Sequence, residues 1–188
     1  MTHIPVPDQA GDALVKIHQV GICGTDVKIL HGKIPADLPR TMGHEMIGEV
    51  VEPAAGGLIP AGTRVLVDPA LTCGSCDMCF AGRPNICLRG GLLGRDADGV
   101  FAEYIAAPES RLLVVPESIS RKAAGVLQVL GTVVHAQRAV DVFPGDVVAI
   151  IGLGVSGQLM VQLMKARGAT VLGVTRSEWK RDLAEQLG

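Results

Sequence analysis

Four cysteines crowd into one short stretch of this sequence, Cys73, Cys76, Cys79 and Cys87, with two, two and seven residues between them. Gly74, Gly82 and Pro84 interrupt the stretch and no apolar periodicity runs through it, so it has no core of its own to fold around. Four thiolates at such spacing suit one tetrahedral Zn²⁺ with no open position, the pattern of a structural site. A site of that kind supplies about 10–16 kcal/mol of apparent binding free energy at neutral pH, which would couple folding of this lobe to the metal. Disulfides or unconnected buried cysteines are the alternatives. A nucleic-acid-binding zinc finger would need surrounding positive charge, and the window holds only Arg83 and Arg89.

The rest of the composition narrows the function classes. A formal net charge of −2 and a pI of about 6.2 give no electrostatic reason to bind nucleic acid or an anionic membrane. No apolar run approaches the ~20 residues of a membrane span, and the first residues lack a basic-then-apolar leader, so a cytoplasmic chain with no membrane partner is expected. Outside the lobe only Cys23 remains, a candidate ligand or nucleophile in a reducing compartment. The 24 glycines and few aromatics point to tight turns around a core of Val, Leu, Ile and Ala.

Along the chain, residues 1–12 read as an irregular entry. Ala13 to Val20 alternates as a half-buried strand with His18 on its polar face. Gly21-Ile22-Cys23-Gly24-Thr25-Asp26 follows as a strand running into a glycine-flanked turn, and a second turn carries Gly43-His44-Glu45 before a strand-like Ile47 to Val51. Cys23, His44 and Glu45 are the types that ligate a zinc with an exchangeable position, as a catalytic zinc requires; a structural, hydrogen-bonded His44 is the alternative. Further strands are expected at 60–67, 99–105 and 111–115, the last two split by Pro108. Short strands with Gly/Pro punctuation suggest a small β-barrel or sandwich over residues 1–118.

The period then changes. A helix is expected from Ser120 through Leu127, Leu130, Val134 and Ala139. After the turn Pro144-Gly145-Asp146, Val147 to Ile151 is a continuous apolar run, the pattern of a strand buried on both faces of a parallel sheet. Gly152-Leu153-Gly154-Val155-Ser156-Gly157 follows directly, then a helix to about Arg167, a stop at Gly168 and a second buried strand at 170–174. A GxGxxG between strand and helix of a βαβ unit is the dinucleotide fingerprint. Gly152 permits the turn, Gly154 lets the backbone approach the pyrophosphate, Gly157 allows close packing of the helix on the strand, and Val155 opens the helix whose N-terminus faces the phosphates. The next strand ends in Thr175-Arg176-Ser177, with no carboxylate where an NAD site usually has one. A guanidinium and two hydroxyls suit a 2′-phosphate, so NADP(H) is favoured over NAD(H); a solvated surface Arg176 is the alternative.

The ordered set of Gly21-Ile22-Cys23-Gly24-Thr25-Asp26, Gly43-His44-Glu45, the cysteine lobe, Asp98-Gly99-Val100-Phe101-Ala102-Glu103-Tyr104 and Gly152 to Gly157 resembles the zinc-dependent medium-chain alcohol dehydrogenases, in particular the threonine and polyol dehydrogenase branch. The resemblance covers nearly all of the chain. It implies an α/β protein with a β-rich part: a GroES-like zinc-binding catalytic domain (1–118) followed by the first part of a Rossmann dinucleotide-binding domain (119–188), with the catalytic zinc in the cleft between them. It implies Cys23, His44 and Glu45 at the catalytic zinc, Thr25 in the proton relay, Asp26 orienting the histidine ligand, and Cys73, Cys76, Cys79 and Cys87 at the structural zinc. The implied reaction moves a hydride between a secondary alcohol or polyol, or its carbonyl, and NAD(P).

Two positions depart from that pattern: Lys28 stands where many relatives carry a relay histidine, leaving Lys28, His31 or water for proton exit, and Gln128 stands where the branch places a glutamate near the zinc. Relatives are also longer, so the chain is expected to be truncated at both ends, with a two-stranded parallel sheet exposing an apolar edge. Its partners are then a small-molecule substrate and further copies of itself or the remainder of a longer chain. A non-catalytic zinc-binding fragment and a zinc-free quinone or enoyl reductase are the competing readings.

Overall fold

In the computed structural model, which describes residues 3–7 and 10–187, the chain divides into two compact units, Met1–Gly125 and Val126–Gly188. Residues 1, 2, 8 and 9 of the expected irregular entry, and Gly188, lie outside the described residues.

The first unit is built on alternation. In β1 (Ala13–Gly21) Ala13 and Val15 are buried while Lys16 and His18 face outward, His18 beside Glu49 at 3.6 Å. This strand pairs antiparallel with β2 (Glu45–Glu52), which pairs with β3 (Arg64–Val67). A two-stranded ribbon, β4 (Ala70–Leu71) with β5 (Gly91–Leu92), brackets the cysteine lobe and is too short to leave an alternating signal in the sequence. Two later strands, β6 (Tyr104–Ala107) and β7 (Leu112–Val114), complete a five-stranded sheet in the order β6-β1-β2-β3-β7. No pairing joins β6 to β7 among the described residues, so the sheet has two edges. Val15, Val50, Val65, Val67 and Val100 are buried at its heart with Leu93, Ile105 and Leu112. Each such side chain contributes about 1.5–3 kcal/mol relative to exposure.

Three local expectations change. The turn after Gly21 is the start of a helix, α1 (Gly24–Leu30), because Asp26 accepts the Cys23 N–H at 2.8 Å and closes its N-terminus. The strand expected over 99–105 begins only at Tyr104: the N–H groups of Gly99, Val100 and Phe101 donate instead to the carbonyls of Thr41, Gly43 and Met42. The lobe itself holds a short helix, α2 (Asp77–Phe80), and a 3-10 turn at Pro84–Ile86. The helix opened by Ser120, whose Oγ accepts from Ala123 N at 3.2 Å, is likewise broken into α3 (Arg121–Ala124) and α4 (Leu127–Gln137). Gly125 weakens the helix by about 1 kcal/mol relative to alanine, and Val126 leaves helical geometry at φ −109, ψ 0.

In the second unit β8 (Val147–Ile151) runs into α5 (Val155–Ala166), which returns to β9 (Thr170–Val174), parallel to β8, followed by α6 (Glu178–Leu187). Ile150, Leu153, Val161, Met164, Ala169 and Ala184 form its core. Burial on both faces is not met: Val147 is 65% exposed and Ile151 86%. An apolar run of this kind needs neighbours on both sides, and among the described residues β8 and β9 pair only with each other. No helix of the described residues is long and apolar enough to cross a membrane.

Candidate metal and dinucleotide sites

In the lobe, glycines with positive φ at Gly74 (67°) and Gly82 (70°) turn the backbone so that all four sulfurs converge. Cys87 Sγ lies 3.4 Å from Cys73 Sγ and 3.8 Å from Cys76 Sγ, which is 3.6 Å from Cys79 Sγ. A tetrahedral ion with Zn–S near 2.3 Å holds its sulfurs about 3.8 Å apart, so the cage fits zinc. None of the five cysteines is joined in a disulfide, and the sulfur spacing favours a shared ion over a disulfide pair. Arg89 Nη2 donates to Cys73 Sγ (3.4 Å) and to Ser75 Oγ (2.7 Å). The backbone N–H of Ser75, then Cys87 and Arg89, bring the Cys73 thiol down to about 5. Hydrogen bonds from the Cys79 and Leu88 backbone lower Cys76, whereas burial pushes Cys79 up to about 11. Part of the thiolate charge that a cation needs is therefore in place before it binds.

The second cluster joins distant parts of the first unit. Cys23 precedes α1, His44 precedes β2 and Glu45 is the first residue of β2, yet their ligand atoms lie within 4.8 Å of one another. Asp26 ties the two segments together. Its Oδ2 accepts from Cys23 N, and its Oδ1 lies 3.4 Å from His44 Nδ1, with Asp26 and His44 both buried. A carboxylate facing Nδ1 fixes the ring's orientation, an arrangement usual for a metal-ligating histidine. Glu45 stands opposite Gly21 in the β1–β2 register, and a Cβ on Gly21 would run into the Glu45 carboxylate. Sulfur, imidazole and carboxylate are a donor set that fits a catalytic zinc.

The sequence picked out Cys23, His44, Glu45 and Asp26, and all four meet. Thr25 is half-buried in the first turn of α1, while Lys28 and His31 are exposed at its far end. Gln128 lies in the first turn of α4, in the second unit. The role of Gly21 was missed; it can be read only once the pairing partner of Glu45 is known.

In the second unit Gly152 sits at φ 96 and donates to Val174 O at 2.9 Å, making the turn between β8 and α5. Gly157 has no room for a Cβ because the Gly152 carbonyl occupies that place, so it is the turn itself, with Ile150 Cγ2 3.8 Å away, that demands glycine. Gly154 caps α5 with open space where its Cβ would be, and Val155 begins the helix. Unpaired N–H groups at such a helix start suit a pyrophosphate. Thr175 Oγ1 accepts from Ser177 N at 3.2 Å, and Arg176 is exposed beside them.

Comparison with known proteins adds four findings. Residues 9–117 match the alcohol dehydrogenase GroES-like domain. The chain is 36% identical over 187 residues to L-threonine 3-dehydrogenase of Caldanaerobacter subterraneus subsp. tengcongensis, covering 94% of this chain and 52% of that protein. It is 34% identical over 195 residues to sorbitol dehydrogenase of Bacillus subtilis, covering 98% and 55%. Among solved structures it is similar to a zinc-binding dehydrogenase from Sinorhizobium meliloti 1021 bound to NADP, with TM-score 0.93, 39% identity, and coverage of 98% of this chain and 55% of that one. The chain thus spans about half the length of the curated relatives it matches.

Proposed function

The chain belongs to the zinc-dependent medium-chain alcohol dehydrogenase family, an α/β fold with a GroES-like part, and from that premise we propose that it serves NADP(H)-dependent oxidation of a secondary alcohol or polyol and the reverse reduction of the carbonyl. The convergence of Cys23, His44 and Glu45 carries this reading. In it, residues 1–118 hold the alcohol and both metals, and residues 119–188 hold the adenosine and pyrophosphate half of the cofactor.

Cys23, His44 and Glu45 would hold the catalytic zinc, and Cys73, Cys76, Cys79 and Cys87 the structural one. The catalytic ion, when bound, supplies Lewis acidity that favours loss of the alcohol's hydroxyl proton near neutral pH. Asp26 keeps the His44 ring turned for ligation, and Thr25 accepts the hydroxyl proton and passes it outward. Glycines 152, 154 and 157 with Val155 admit the pyrophosphate, while Thr175, Arg176 and Ser177 supply donors for the 2′-phosphate. A nicotinamide bound there would supply the hydride acceptor for the carbinol carbon, so that alcohol and NADP⁺ would give carbonyl, NADPH and one proton. Free thiols throughout suit a cytoplasmic location, and assembly as a homo-oligomer or with the remainder of a longer chain completes the proposal.

Zinc per chain measured beside NADPH formation from a panel of secondary alcohols and polyols tests it. Two zincs with alcohol-dependent turnover are expected. One zinc and no turnover would return the chain to the competing reading, a zinc-binding module without catalysis.

A further inference from the structure

The segment that delivers His44 is held by a part of the molecule to which the zinc reading gives no role. Gly99 N donates to Thr41 O (2.7 Å), Phe101 N to Met42 O (2.8 Å) and Val100 N to Gly43 O (3.0 Å), while Asp98 Oδ1 accepts from Thr41 N (3.0 Å). Four consecutive residues, 98–101, thus bind three consecutive residues, 41–43, immediately before the histidine. The approach is so close that side chains are excluded at three glycines. A Cβ on Gly94 would lie 2.6 Å from Gly43 N, one on Gly99 would lie 2.7 Å from Met42 O, and one on Gly43 would lie 2.8 Å from Phe101 Cγ. Gly43 also holds φ at 91, a conformation that side chains resist.

The Phe101 ring therefore occupies the place a Gly43 side chain would take. It is 37% exposed and stands outside the sheet's core cluster, so its place is not explained by the general packing of that core. We infer that residues 98–101 clamp the 41–43 backbone so that His44 is presented to Asp26 and the metal, with Phe101 as a positioning residue that acts through the Gly43 backbone. The inference rests on the zinc reading of Cys23, His44 and Glu45 and gives that site a support its ligand list lacks. Backbone hydrogen bonds set the height of the segment, and the ring stops the Gly43 peptide from rotating into the space beside it. A histidine whose main chain can rotate loses alignment with both Asp26 and its metal, and supporting residues of this kind typically change metal affinity by about 10–100-fold.

The test is zinc affinity at the two sites, read by competition with a chelator on the purified protein, beside the thermal midpoint. The unaltered protein must first show two zincs; if only the lobe fills, the zinc reading itself has failed. Given two, Phe101→Ala is expected to weaken the non-lobe zinc about 10–100-fold and leave the lobe zinc in place, with Phe101→Tyr restoring the affinity. Val65→Ala, in the buried core of β3, serves as the stability control and is expected to lower the midpoint without changing zinc affinity. Wild-type zinc affinity in Phe101→Ala would overturn the clamp, as would a loss no larger than that of Val65→Ala at equal midpoint. If Phe101→Ala does not fold, Asp98→Ala frees Thr41 N while keeping the ring, and unchanged affinity there overturns the inference equally.

Discussion

The cysteine lobe and the Cys23 cluster offer metals opposite kinds of site. The lobe draws four ligands from Cys73 to Cys87, brings them together with two positive-φ glycines and two short helical turns, and leaves three of its four cysteines only half-buried. The Cys23 cluster takes its ligands from the start of a helix and the start of a strand, and buries His44 to 8% and Asp26 to 3% exposure. In the first the metal substitutes for a core, so folding and binding are one event. In the second the sheet folds on Val15, Val50 and Val65, and the site is a by-product of β1–β2 register. A locally built site depends on its ion, whereas a site built by the sheet exists before the ion arrives.

The largest expected effect falls on the lobe. Cys76→Ser should abolish its zinc and unfold residues 73–87, a loss on the scale of about 10–16 kcal/mol of metal-coupled folding, visible as hydrogen exchange of the amides between β4 and β5. Retained protection there would break the comparison. Cys23→Ser is expected to remove one zinc and cut turnover by at least about 100-fold while the thermal midpoint and the lobe zinc stay near wild type. Unfolding of the sheet in that variant would mean that both sites depend on their ions. Gly21→Ala sharpens the contrast further. The added methyl meets the Glu45 carboxylate, so affinity for the catalytic zinc should fall about 10-fold with no change in the lobe, as metal titration would show.

The smallest effect concerns another contact made across the chain. Glu109 accepts from the N–H groups of Leu58 and Ile59 at 2.9 Å each, which holds its carboxyl below the ordinary 4.5. A lowered folded value stabilises the protein above 4.5 and loses that contribution as pH falls through the folded value. Glu109→Gln should therefore reduce the thermal midpoint slightly at pH 7 and flatten its decline at acid pH. An acid limb as steep as wild type would show that this carboxylate adds nothing to the sheet.

Legibility followed the distance along the chain between interacting groups. The cysteine spacing and the strand–GxGxxG–helix order were readable because ligand convergence and the tight turn are properties of consecutive residues: Gly74, Gly82 and Gly152 adopt the backbone their positions required. The β1, β3 and β9 strands were readable from alternation or apolar runs, and α5 from its period and the Gly168 stop. What failed failed for want of partners. The N–H groups of residues 99–101 could serve a strand or another segment equally well, and only the folded chain sends them to Thr41, Met42 and Gly43. The apolar runs of β8 and β9 announce burial, but burial is supplied by neighbours, and two strands paired with each other leave Ile151 open.

By itself, then, the sequence determined residue chemistry and local backbone geometry: four thiols able to meet, a turn able to admit a phosphate, and a Cys, His, Glu and Asp of the right types in two separate places. Only the tertiary structure decided that those four side chains meet, that Gly21 must lack a side chain opposite Glu45, and that Phe101 lies against Gly43. The reason is physical. Local geometry depends on torsions and sterics a few residues wide, whereas contact between distant groups depends on strand register, where a slip of one residue sends every side chain of β1 or β2 to the opposite face.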